Sequence, residues 1–157
     1  MNRNRAVIFF VILLTASFSL SLWAGDDAAK TEMKKMEPFL GKWKTISVYP
    51  GKNLSIPGDL EYRWILGKNY MMIEFVGQHP EREYWEAYAM IKYDTAKKKY
   101  VSFDFFDAND PYLSYGYWLS KETIRFEAED KSWGIDYTLK KGKTGVTVYQ
   151  ENWRTKN

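Results

Sequence analysis

Cysteine is absent from the 157 residues, and histidine occurs once, as His79. The first absence excludes a disulfide framework, a thiolate metal site and a cysteine nucleophile. The second leaves nothing to build a metal centre from. A metal ion needs several ligands around it, and a lone histidine in the loop Gly77-Gln-His-Pro80 does not supply them. Asp104, Asp107 and Asp110 do not have the D-x-D-x-D-G spacing of a calcium loop and read as an Asx-rich turn. There is no G-x-G-x-x-G, no phosphate loop and no G-x-S-x-G. No metal and no cofactor are therefore expected. Long apolar runs are also missing, with one exception at the start of the chain.

That exception has the pattern of a secretory leader. Met1-Asn-Arg-Asn-Arg5 is a basic head, Ala6 to Leu22 is apolar with four hydroxyl residues, and Ala24 stands as the small residue before a cut. Residues 1–24 are read as a signal peptide, and 25–157 as a single domain that is periplasmic or secreted. The alternative is an uncleaved anchor, for which the run is at the short limit. No cysteine follows the run, so a lipid anchor has no attachment point. The formal charge of +3 includes Arg3 and Arg5 of the leader. The rest is close to neutral, which excludes the basic surface a nucleic-acid binder needs. Once the leader is removed, stable membrane insertion is not expected either. The oligomeric state is left open.

Aromatic residues are abundant at 18%, with 7 Trp, 12 Tyr and 9 Phe. Residues 26–37 are polar helix formers, with Met33, Met36 and Leu40 on one side, and Pro38 ends them. After Gly41 the pattern alternates in period two between short turns. Strands are expected at 42–49, 60–66, 70–76, 83–93, 100–106, 112–119, 123–129, 133–140 and 145–154, with Ile56-Pro-Gly58 as a turn. Short connections make this an antiparallel meander. A meander of this length must manage its edges, and closure into an up-and-down β-barrel with a short N-terminal helix does so. A two-sheet sandwich is the rival, but its crossings want longer loops.

The opening Gly41-Lys-Trp43 resembles the G-x-W signature of the calycins, the lipocalins and fatty-acid-binding proteins. Trp64-Ile-Leu-Gly-Lys-Asn-Tyr70 and Tyr93-Asp94 followed by Lys98-Lys99-Tyr100-Val101 extend the likeness. Over residues 38–153 the chain is similar to a lipocalin-like family of bacterial secreted proteins, domain of unknown function 1579. It has Gly67-Lys68 where that family often has Asp-Gly. The resemblance implies a calycin-like barrel of eight to ten strands, with Trp43 inside its closed end and Arg154 lying across the Trp43 ring. It implies no activity. Haem barrels of nitrobindin type share the architecture but need a histidine late in the chain, and none follows His79.

The faces of the strands decide what the interior offers. In the fourth strand, Trp85, Ala87, Ala89, Ile91 and Tyr93 are expected inside, with the alanines leaving room. Glu74 shares a face with Tyr70, Met72 and Val76 and is a candidate inward carboxylate. Arg63 should point out, opposite Tyr62 and Trp64. Phe103, Phe105 and Phe106 are further candidates for a lining. Trp43 either floors a cavity or is core. Gly41 should turn the chain into the first strand and leave space for Trp43. The function expected is non-covalent binding of a small apolar or aromatic ligand lined by Trp43, Tyr62, Trp64, Met72, Glu74, Trp85 and Tyr117. The alternative is an envelope structural or interaction module with a filled barrel. An enzyme is not expected; a hydrolase would have to pair carboxylates among Glu74, Glu86 and Asp104.

Overall fold

A computed structural model describes residues 27–49, 53–79, 82–106, 111–142 and 145–154, with backbone alone for 82–84 and 141–154. The expected leader, the acidic turn around Asp107 and Asp110, and Pro50 lie outside the described residues. Residues 27–34 form a helix, α1, and Glu37–Phe39 a single 3₁₀ turn that Pro38 starts. Nine strands follow: β1 (Gly41–Tyr49), β2 (Leu54–Ile65), β3 (Tyr70–His79), β4 (Arg82–Asp94), β5 (Lys99–Phe106), β6 (Tyr112–Trp118), β7 (Thr123–Ala128), β8 (Trp133–Gly142) and β9 (Gly145–Arg154). Each pairs antiparallel with the next, and β9 closes on β1 to complete a barrel. With an odd number of strands, an up-and-down meander brings its first and last strands together pointing the same way. The seam is accordingly parallel, Thr45 opposite Val148 and Val48 opposite Glu151.

Two turn assignments change. Ile56-Pro-Gly58 is strand, not turn, and extends β2 toward Leu54. Pro57 lies one residue beyond the last β2–β3 pair, Gly58–Gly77, so its missing N–H takes nothing from the β3 ladder. His79 ends β3 and is not a loop residue, and its ring packs edge-on to Trp85 with centroids 6.2 Å apart. The turn expected at 67–69 starts one residue earlier, at Leu66–Lys68, and is tight: Leu66, Gly67 and Lys68 all have positive φ, at 49°, 66° and 68°. Gly41 has φ +116°, which L residues rarely adopt, but a Cβ there would meet nothing within 4 Å. The glycine is needed for the backbone direction and not, as expected, for space beside Trp43.

The helical segment plugs one end of the barrel. Met33, Met36 and Phe39 are buried and join Tyr62, Met71, Ile91 and Tyr100 in one core cluster. Phe39 sits against Tyr62 (5.4 Å between centroids) and Trp118 (6.1 Å). Several polar atoms at this end are partnered. Trp43 Nε1 donates to the Phe39 carbonyl at 2.6 Å, Trp118 Nε1 donates to Tyr100 Oη at 3.0 Å, and Tyr100 Oη donates to the Glu32 carbonyl at 2.8 Å. The seam rules out Arg154 over Trp43. Continuing its register sets Trp43 level with Val146, eight positions before Arg154. At about 3.3 Å per residue the two backbones lie roughly 26 Å apart along the strands. Arg154 pairs instead with Trp133, at the opposite end.

Candidate functional site

The end away from the helix is built differently. Its rings come from β1, β3, β4, β5, β6 and β8 and form two clusters. Tyr49 and Phe75 pack on Trp85 at 6.1 and 5.4 Å between centroids, and Phe106, Tyr112 and Trp133 pack on one another at 5.7 to 6.5 Å. Tyr49, Trp85, Phe106 and Trp133 are half-buried and Tyr112 is exposed. Gly58 and Gly77 pair across β2 and β3, and a Cβ on either would strike the Phe75 ring at 2.6 Å. The missing side chains are what let Phe75 lie flat on the sheet.

Below these rings is a cavity of about 30 Å³, lined among others by Ser47, Tyr49, Trp85, Ala87, Asp104 and Tyr137. That is room for one or two waters. The alanines of β4 face inward as the alternation indicates, and Ala89 is the cross-strand neighbour of Asp104. A larger residue at either alanine would fill the space.

Asp104 is the unusual member. It is 5% exposed, in the middle of a barrel wall. Ser102 Oγ donates to one carboxylate oxygen and Ser114 Oγ to the other, both at 2.7 Å. The local fold dictates this: Ser102 lies two residues before Asp104 on the same face of β5, and Ser114 of β6 is directly opposite Ser102. No cationic side chain among the described residues pairs with it. Burial pushes its carboxyl above the ordinary value near 3.8, while the two serine hydrogen bonds pull the other way. Burial also raises the Tyr137 hydroxyl, helped by the charge of Asp104 and by Tyr49. Tyr62 Oη is fully buried with no hydrogen-bond partner among the described residues.

β5 therefore has its amphipathicity reversed. Ser102 and Asp104 point inward, while Phe103 and Phe105 on the other face are only half-buried and Val101 beside them is covered. This corrects the expectation that Phe103 and Phe105 line the interior. The clue was present in the sequence: Tyr100, Ser102, Asp104 and Phe106 alternate with an all-apolar face, and a barrel that needs an internal polar group places the polar face inside.

The proposed lining residues are dispersed. Trp85 lines the cavity. Tyr62 is interior, between Phe39 and Tyr137. Trp43 and Trp64 are half-buried against the core near the plugged end. Met72, Glu74 and Tyr117 are corrected to the outer wall. β3 turns Met71, Ile73 and Phe75 inward, so Met72 and Glu74 point out, where Arg63 Nη2 meets Met72 Sδ at 3.8 Å and Glu74 Oε2 at 4.0 Å. The two faces of β3 are nearly equal in apolar content, and desolvating a carboxylate decides between them. Tyr117 is 39% exposed, with Oη 3.3 Å from Glu127 Oε2. Arg63 points outward as expected, so it forms no buried pair with Asp104. Among the described residues no group of three or more His, Asp or Glu could hold a metal ion, and no helix is long and apolar enough to cross a membrane. No family model, curated protein or solved structure matches the chain.

Proposed function

We propose that the protein is a binding barrel that takes a small ligand at its open end, between the two ring clusters and above Asp104. One observation carries the reading: β5 turns Ser102 and Asp104 into the interior and Phe103 and Phe105 outward. Reversing a strand in this way forfeits apolar burial and desolvates a carboxylate, which a purely structural wall has no reason to do. The cavity's volume limits what fits. A drug-sized pocket measures about 300–1,000 Å³, so the ligand is no lipid enclosed by the barrel. It is a compact group held at the mouth, with the half-buried rings as its walls. The described residues bring no carboxylate to face Asp104 and no histidine to activate a serine beside it, which favours binding without turnover. A secreted or periplasmic setting and kinship with lipocalin-like proteins belong to the same proposal and rest on the leader pattern and the G-x-W opening.

A second reading has its own support. The interior is nearly filled, and the outer wall carries Leu113 at 43% exposure opposite Phe103. That suits an interaction module whose barrel is only a scaffold. Native mass spectrometry of the protein from its own cells separates the two. The binding barrel predicts a bound small molecule that Trp85→Ala releases. A bare protein, with a melting temperature that no small molecule moves, would leave the interaction module standing.

A further inference from the structure

We infer that the open end is a site for a small organic cation, its ammonium head seated against the Asp104 carboxylate and its alkyl groups against the rings of Tyr49, Trp85, Phe106 and Tyr137. This rests on the small-ligand reading above and names the ligand's chemistry. A carboxylate held inside a barrel by two neutral hydroxyls has hydrogen bonds but no counter-charge among the described residues. A ligand cation supplies it. Aromatic rings attract alkylammonium groups through their faces, and they replace the weak hydration of such ions better than that of small hard ones. A divalent metal would need six or more oxygens around it, and the described residues offer no such cluster. The cavity beside Ala87 and Ala89 has room for a water-sized primary ammonium head, with the alkyl part toward the rings that line it.

The protonation balance gives the site a signature. Burial holds free Asp104 protonated to a higher pH than an ordinary aspartate. When a cation binds, the carboxylic acid gives its proton to solvent, and the carboxylate forms the ion pair. Affinity for a cation that stays charged should therefore rise with pH, by up to tenfold per unit, and level off above the pKa of the free site. Among the described residues, the other titratable groups around Asp104 are Tyr137 on β8, Tyr49 on β1, Tyr112 opposite it on β6, Tyr88 on β4 and His79 beside Trp85. His79 is the one imidazole among them, so a control at that position is included.

The test uses the full chain with methylammonium, butylammonium and butan-1-ol, the uncharged counterpart of butylammonium, by calorimetry and thermal shift between pH 5 and 8, where both ammonium groups stay charged. Butylammonium and methylammonium should bind and raise the melting temperature, and butan-1-ol should bind at least tenfold more weakly. Asp104→Asn should stay folded, lose at least tenfold in affinity for butylammonium and lose the pH slope, while His79→Gln should keep the slope. Equal binding of butylammonium and butan-1-ol, unchanged binding by folded Asp104→Asn, or equal stabilisation by potassium chloride would overturn the inference. If neutral aromatic compounds bind through Trp85 and the cations do not, the cation is wrong and the binding barrel stands. If neither class binds, both fall.

Discussion

The two ends of the barrel use the same residue types for opposite purposes. At the plugged end, Phe39, Tyr62 and Tyr100 are buried, and a relay runs from Trp118 through Tyr100 to the Glu32 carbonyl. At the open end, most of the rings are half-buried and surround a carboxylate that has no counter-charge among the described residues. Aromatic content therefore says little about function. What differs is whether another part of the chain covers the rings. The helical segment does so at one end, and no described element does so at the other.

The contrast can be broken first where it is strongest. Phe39→Ala removes a fully buried ring from the plug and should cost about 3–5 kcal/mol, read as a lower midpoint in urea. Tyr100→Phe leaves the ring but strips both Trp118 and Glu32 of a partner, for about 1–3 kcal/mol. Trp85→Ala takes a ring of similar size from the open end. Because that ring is only half-buried, the loss should be about 1–2 kcal/mol. A loss as large as that of Phe39→Ala would erase the distinction between the ends.

Asp104→Asn sharpens the comparison through pH. The folded-state carboxyl titrates above its ordinary value, so its contribution to stability is whole below pH about 4, where both states hold the proton. It is lost as pH rises toward the folded-state value, because the unfolded chain gives up its proton first. The stability of the natural protein relative to Asp104→Asn should therefore fall as pH rises from 4, as chemical denaturation at several pH values would show. The smallest effect is expected on the outer wall. Arg125 holds Asp136 by two hydrogen bonds of 2.7 Å. Losing that partly exposed pair in Asp136→Asn should cost about 1 kcal/mol or less, diminished further in high salt.

The barrel was legible because alternation, turn residues and the short helix before Gly41 all pointed the same way. The site was not, for reasons found in two strands. In β3 the residues Met71, Ile73 and Phe75 compete with Tyr70, Met72 and Val76, and either set could face a core. In β5 the apolar set Val101, Phe103 and Phe105 faces outward, so the usual preference gives the wrong phase. Pro57 misled for a third reason. A proline inside a strand is acceptable only where a neighbouring strand has already ended, which is a fact of register between β2 and β3 and invisible in local sequence. Trp85 with its two alanines was placed correctly because the opposite face of β4 carries Glu86 and Lys92.

The odd strand count also gives the molecule a direction. A barrel closed by an antiparallel pair returns its last strand to the pole where the first began. Here β1 leaves the plugged pole and β9, running alongside it, finishes at the mouth, where Arg154 lies opposite Trp133. A bulky group fused after residue 154 would stand beside the rings, and the same group placed ahead of α1 would stand on the far side. Circular permutation through the natural ends would need a bridge as long as the barrel, about 30 Å for strands of some ten residues. For any binding assay on a surface, attachment by the leading end leaves the mouth facing the solution, while attachment by the trailing end turns it toward the support.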